Sequence, residues 1–306
     1  MRNRVVCLWC VLSVLISAFV VDSAGQATAV SPVQAPVVTE AERKSIVAAT
    51  EALQPADIPV LLPKAEAGDA SAQYMLGVAY ADSKAVQKDP AQAWLWFQRS
   101  AEKGWPVGQN AVGTAYKSGM GVSRNEVEAV RWYRKAADHG NADAQFDLAM
   151  AYHNGEGVHK DREEAAKWLE KASDQGSGRA STLLGEMYWN GELGRAPIKR
   201  HIAMHEFEKG AKQGYPVAPL TLGEIYFKGW EFDRDYIKAC TWFLIADDLD
   251  KAQTWGQTHP SDIAELRKTL PSRISKTQEK LTPQQFAECQ RQAAEWASAN
   301  SPKLSQ

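Results

Sequence analysis

Three sets of residues have the types and spacing to do chemistry. Ser100-Ala101-Glu102-Lys103 has the Ser-x-x-Lys spacing, which puts a basic lysine one helical turn from a serine nucleophile. His201 and His205 lie at i and i+4, so on a helix they share a face that could hold Zn²⁺ or Cu²⁺. Cys240 and Cys289 are the two cysteines outside the apolar N-terminal run. Each set also has a purely structural explanation. Ser100 falls in a column with Ala136, Ala172 and Gly210, where a small residue suffices, and no Ser-Asp-Asn or Lys-Thr-Gly partner occurs in the chain. The zinc-protease pattern needs Glu at 202, where Ile202 stands, and His205 aligns with Arg131 and Lys167, a polar outer column. For the cysteines, a bridge and two separate buried thiols both remain open, because a disulfide needs Cα atoms within about 7 Å. The expectation is therefore no catalytic residue, no metal and no cofactor.

The elements that would carry these residues are written as a repeat. Gly113, Tyr116, Gly119, Gly121, Ala129, Trp132, Ala136 and Gly140 recur 36 residues later as Ala149, Tyr152, Gly155, Gly157, Ala165, Trp168, Ala172 and Gly176. A fixed period of this size marks a stacked array. One column holds Tyr80, Tyr116, Tyr152, Tyr188 and Tyr226, and three residues before it stand Gly77, Gly113, Ala149, Gly185 and Gly223. Glycine inside a helix costs about 1 kcal/mol relative to alanine, so a second helix must pass close there. A glycine-rich turn follows, then the column Asp89, Asn125, Asp161, Lys199 and Asp235. Four of these five are good N-caps, and Glu128 and Glu164 complete capping boxes. The second helix carries Trp96, Trp132, Trp168, Glu206 and Trp242 in one column. Unit four departs from the pattern, with an insertion in Asn190–Lys199 and Glu206 in place of Trp.

The expected organisation is all-α. It is an α/α superhelix, a solenoid of five helix-pair units at 69–104, 105–140, 141–176, 177–214 and 215–249. Capping helices cover 39–68, with a first helix from about 40 to 54 broken by Pro55, Pro59 and Pro63, and a C-terminal capping pair covers 250–298, opened by Ser261 and Thr282 as caps. Residues 30–38 read as a flexible linker and 299–306 as a disordered tail. The N-terminus has Arg2 and Arg4, the apolar run Val5–Val21 and the small-x-small tripeptide Ala27-Thr28-Ala29. That is the pattern of a signal peptide, 1–29, and implies a periplasmic or secreted protein. The alternative is an inner-membrane anchor, since about 17 apolar residues approach the bilayer-spanning minimum. A hydrophobic fraction of 44% with 11 Trp in 306 residues supports a packed fold. A net charge of −2 without a basic stripe argues against nucleic acid.

The combination Leu-Gly-x-x-Tyr, Gly-x-Gly-Val and Ala-x-x-Trp-Tyr-x-Lys-Ala-Ala-x-x-Gly at this period resembles the Sel1-like repeat family, a relative of the tetratricopeptide repeats. The tail Leu281-Thr282-Pro283-Gln284-Gln285…Glu295-Trp296 looks like the end of bacterial members. The resemblance implies a non-catalytic adaptor of the cell envelope that binds a peptide or another protein along the first helices. Carried over by column, the binding groove comprises Tyr74/Val78, Asn110/Thr114, Phe146/Met150, Thr182/Glu186 and Leu220/Glu224, with Lys117, His153, Trp189 and Phe227 on the next turn. These columns vary while the stacking columns do not, which frees them for binding; their competing use is packing against the next helix. Trp105, at the junction of two units, is a further contact candidate, with Trp230 and Trp255. The runner-up reading is a periplasmic protein that binds or hydrolyses cell-wall ligands in the manner of penicillin-recognising enzymes.

Overall fold

The computed structural model describes residues 19–21, 27–29, 45, 46, 48–50, 52–82, 85–194, 196–230, 233–252 and 260–300. The chain divides into two units, Met1–Pro36 and Val37–Gln306. In the first, β1 (Phe19–Val21) pairs antiparallel with β2 (Ala27–Ala29), Val20 opposite Thr28. This ladder joins the end of the apolar run to the small-residue tripeptide and is an exception to the all-α expectation. The rest of the leader and the 30–38 linker lie outside the described residues.

The second unit is helical. Residues 45, 46 and 48–50 are helical, a 3-10 turn covers Pro55–Asp57, and α1 is Ile58–Glu66. The expected break at the prolines is confined to Pro55, because α1 takes Pro59 into its first turn and keeps Pro63 inside. A proline in the first turn forfeits no intrahelical bond. Five helix pairs follow: α2 (Ala70–Asp82) with α3 (Pro90–Glu102), α4 (Pro106–Ser118) with α5 (Glu126–Asp138), α6 (Ala142–Asn154) with α7 (Arg162–Asp174), α8 (Gly178–Trp189) with α9 (Ala196–Lys212), and α10 (Val217–Lys228) with α11 (Tyr236–Ala252). The chain ends with α12 (Pro260–Gln278) and α13 (Pro283–Asn300). Ala299 and Asn300, expected to be disordered, are the last turn of α13, and 301–306 fall outside the described residues.

Each second helix packs both on its own partner and on the first helix of the next unit, so the apolar seam is continuous. A Cβ built on Gly113 would lie 2.6 Å from the Tyr133 ring, and Gly77, Gly185 and Gly223 stand in the same way against Phe97, Phe207 and Phe243. Where Ala149 replaces glycine, the facing side chain is the smaller Leu169, and both are fully buried. The column thus records a volume match between two helices. The turns show the same economy. Gly119 and Gly155 end α4 and α6 with φ +78° and +81°. A Cβ on Gly157 would fall 2.2 Å from the Glu126 carbonyl oxygen of the preceding unit, so that turn rests directly on the backbone of α5.

Asp89, Asn125, Asp161 and Asp235 cap their helices as expected, accepting at 2.9–3.1 Å from backbone N–H groups of the first turn. The boxes at Glu128 and Glu164 do not close. Glu128 accepts from Arg131 at 2.6 Å, and Glu164 from Lys167 at 3.2 Å and Trp168 Nε1 at 3.0 Å. The pull of a nearby cation one turn on outweighs return to the cap. Lys199 is not a cap either: α9 starts at Ala196, and the Lys199 ammonium donates to the Leu193 carbonyl at 2.6 Å. Ser261 lies inside α12 rather than before it. Thr282 does cap α13, with a complete box to Gln285 at 2.9 and 3.3 Å.

The C-terminal helices do not form a sixth pair. Both dock on α11, and α12 also touches α10. Cys240 of α11 and Cys289 of α13 are bridged, with Cα atoms 5.9 Å apart, which decides between the two readings of these cysteines. Trp242 and Trp296 meet edge-on at 6.1 Å, and Thr241 donates to Gln292 at 3.2 Å beside the bridge.

Candidate partner-binding face

The three columns expected to line the groove have three different uses. Lys117, His153 and Trp189 end their first helices and reach the turn of the following unit. Lys117 Nζ lies 2.9 Å from Glu156. His153 Nε2 lies 2.9 Å from Glu192, which Arg162 also approaches at 2.9 Å. The Trp189 ring meets Trp230 at 6.4 Å, with Arg200 over Trp189 and Lys228 over Trp230. Glu156, Glu192 and Trp230 each follow the glycine that ends or succeeds a first helix. The column is therefore a ladder of inter-unit contacts along one rim. Phe227 packs instead on Tyr236 and Phe243 at 5.6 and 6.5 Å. These residues therefore spend part of their surface on the next unit, and their variation follows the next turn.

The column of Tyr74, Asn110, Phe146 and Thr182 faces the neighbouring unit. Tyr74 packs on Phe97 and, edge-on, on Trp105 at 5.5 Å. Trp105 is only 7% exposed, which removes it from the contact candidates; as the cap residue of α4 it is sealed under the preceding unit. Phe146 is buried with Arg179 stacked 4.0 Å over its ring. Thr182 is buried and donates to the Gly178 carbonyl at 2.7 Å. Among the other tryptophans, Trp230 is 45% exposed, and Trp255 lies outside the described residues.

Thr114, Met150 and Glu186 do lie on a partly open face, and Glu224 of the same column does not. Thr114 is exposed, and Met150 and Glu186 are half-buried. Glu224 is covered: Arg273 of α12 approaches it at 2.5 Å and Lys228 at 3.0 Å. Four residues of this face went unrecognised, Asp143, Asp147, Arg179 and Leu183, while their unit-two counterparts Val107 and Ala111 pack inward. In α6 the residues that escape full burial include Asp143, Asp147, Met150 and Asn154, at i, i+4, i+7 and i+11, one stripe of a helix. That spacing was present in the sequence, but only the packing angle shows which stripe is open.

Asp147 is the electrostatic centre of this face. Its carboxyl is raised from 3.8 to about 6, first by burial, with Asp143 adding to the rise. Arg179, Lys117 and a hydrogen bond from Asn110 oppose it. Glu156 is held low, first by the hydrogen bond from Lys117.

The candidates for chemistry sit elsewhere. Ser100 is fully buried, and its hydroxyl donates to the Ala70 carbonyl at 2.7 Å; no substrate reaches it. His201 and His205 are exposed on α9, with His205 3.7 Å from Glu206. Among the described residues, no group of three His, Cys, Asp or Glu side chains is placed to hold a metal ion, and no helix is long and apolar enough to cross a membrane. Glu206, in the tryptophan column, is raised by burial, and its Oε2 has no hydrogen-bond partner.

Comparison with known proteins agrees with this architecture. The Sel1 repeat pattern matches residues 70–105, 106–141, 142–177, 178–215 and 222–249. A Sel1 repeat protein from Oxalobacter formigenes is 25% identical, over 67% of this chain and 89% of its own, with a TM-score of 0.57. A protective antigen with an SLR fold, present in uropathogenic Escherichia coli strains, is 26% identical, over 77% of this chain and 56% of its own, with a TM-score of 0.56. No curated protein matches the chain. Sel1 repeat scaffolds are typically non-catalytic and mediate protein–protein interaction. With five matched helix pairs, the chain belongs to the Sel1 repeat family.

Proposed function

We infer that this protein is a non-catalytic adaptor of the bacterial cell envelope that binds a segment of another protein along the open face of its first helices. One observation carries the reading. In units two to four the stacking and rim columns are consumed by neighbouring units, whereas the stripe through Asp143, Asp147 and Met150 is left partly open. A surface not needed for stacking is where an array binds. The position of the adaptor in the envelope rests on the apolar N-terminal run and on the buried Cys240–Cys289 bridge, since disulfides persist in oxidising compartments. The hydrolytic alternative loses its support with the burial of Ser100.

The test is site-specific cross-linking in cells that export the full chain. A photo-reactive side chain replaces Met150 on the open face or Val127, which is 50% exposed on α5. Trapping of one defined protein from position 150 and not from 127 is expected. Equal trapping from both positions, or from 127 alone, overturns the assignment of the face.

A further inference from the structure

We propose that His201 and His205 form a surface site for a borderline divalent ion, Cu²⁺ in preference to Zn²⁺, in which Glu206 positions the His205 ring. The site lies on the outer face of the second helix of unit four. It is separate from the face of the first helices, so it does not depend on the adaptor reading.

Geometry is the first argument. His201 and His205 stand at i and i+4 of α9, and both are exposed. Such neighbours on a helix have Cβ atoms about 5–6 Å apart, close enough for two imidazoles to meet on one ion. In units two and three the same places are held by Val127/Arg131 and Glu163/Lys167, all exposed. An ion there is reached from solvent, and water fills its other coordination positions. Imidazole nitrogen suits both Cu²⁺ and Zn²⁺, and Cu²⁺ stands highest in the Irving–Williams order.

Glu206 supplies the second argument. Units one, two, three and five carry Trp96, Trp132, Trp168 and Trp242 in this column, and unit four alone among them carries a carboxylate. Packing buries that carboxylate beside the histidine pair. Its side chain is 13% exposed, and Oε1 lies 3.7 Å from His205 Nδ1. A carboxylate at Nδ1 favours the tautomer whose Nε2 is free for a metal, and raises the basicity of that nitrogen. Oε2 is buried with no hydrogen-bond partner. A buried acceptor left in that state costs stability, and a divalent charge on the adjoining ring offsets part of the cost. The departure from tryptophan and the histidine pair thus occur in one unit and meet on one helix.

The third argument is the disposition of the neighbouring cations. Lys199, Arg200 and Lys209 are the basic residues within four positions of the pair. Lys199 donates to the Leu193 carbonyl at 2.6 Å, Arg200 stacks 5.1 Å over Trp189, and Lys209 lies 2.8 Å from Asp174 of unit three. Their charges are engaged elsewhere and oppose a bound ion less.

The probe is Cu²⁺, titrated at pH 7.5 into the full chain with its free thiols alkylated, and read by electron paramagnetic resonance. One tightly bound ion per chain is expected, with the nitrogen couplings of two imidazoles. His201→Ala and His205→Ala each abolish the two-nitrogen signal, while His139, His153, His159 and His259 stay as a common background. Glu206→Gln keeps both ligands and the side-chain shape; it retains the two-nitrogen signal and weakens binding about tenfold. Circular dichroism confirms that each variant is folded. An affinity and spectrum unchanged in the His201→Ala/His205→Ala chain, or no binding tighter in wild type than in that chain, overturns the site. Unchanged affinity in Glu206→Gln overturns the part given to Glu206. The cross-link from Met150 is unaffected by either result, so the adaptor reading stands or falls separately.

Discussion

Replacing Gly113 by alanine separates close helix packing from helix propensity, because the two predict opposite signs. In an exposed helix the change stabilises by about 1 kcal/mol. Here the added Cβ lies 2.6 Å from two carbons of the Tyr133 ring and 3.2 Å from the Ala129 carbonyl oxygen, against about 3.5–4.0 Å for a comfortable carbon contact. Tyr133 is buried and its hydroxyl approaches Thr114 at 3.4 Å, so the ring has little room to retreat. Overpacking of this kind costs about 1–3 kcal/mol, which after the propensity gain leaves Gly113→Ala destabilising by up to about 2 kcal/mol. Unit three supplies the rescue, since its Ala149 faces Leu169. In a Tyr133→Leu background the same Gly113→Ala change meets no ring and becomes neutral or stabilising. The coupling between the two changes is therefore about 2 kcal/mol. Urea unfolding of the four proteins, followed by circular dichroism at 222 nm, measures it. A stabilising Gly113→Ala in the wild-type background, or the same effect in both backgrounds, refutes the packing argument.

Other outcomes follow from the same structure. The Asp147 carboxyl binds its proton more tightly folded than unfolded, so its ionisation removes stability as pH rises from about 4 to about 6, by up to about 3 kcal/mol. Asp147→Asn then raises the melting temperature relative to wild type at pH 7.5, and the advantage shrinks at pH 4; an equal shift at both pH values counts against the assignment. Opening the Cys240–Cys289 bridge, which closes a separation of 49 residues, lowers stability by about 4 kcal/mol on the loop-entropy account. Thiol labelling of the folded chain, read at Cys240 and Cys289 by peptide mapping, gives no signal there before reduction, and full labelling of the two would exclude the bridge. Gly140 and Gly157 both have positive φ, but only Gly157 has backbone within reach of a new Cβ. Gly140→Ala costs about 1 kcal/mol of left-handed strain and Gly157→Ala at least 2 kcal/mol more, compared by thermal melting; equal costs would show that the turn does not rest on α5.

The repeat, the helix pairs, the caps at Asp89, Asn125, Asp161 and Asp235, and the closeness implied by Gly113 were legible in the residues alone. They are local or periodic: a cap bonds three residues away, and a glycine column is visible because it recurs. The uses of the variable columns were not legible. Lys117 reaches Glu156 and Trp189 reaches Trp230 across a unit boundary, and that pairing depends on the angle at which one helix pair stacks on the next. The same angle buries Trp105, Phe146 and Thr182 and leaves Asp147 half-buried. Long-range choices were equally hidden. Nothing in the spacing of Cys240 and Cys289 distinguishes a bridge from two thiols, and the periodicity of residues 260–300 does not show that α12 and α13 both turn to α11. A sequence states which residues share a helix face; which face meets a neighbour, and which is left for a partner, is decided when the units stack.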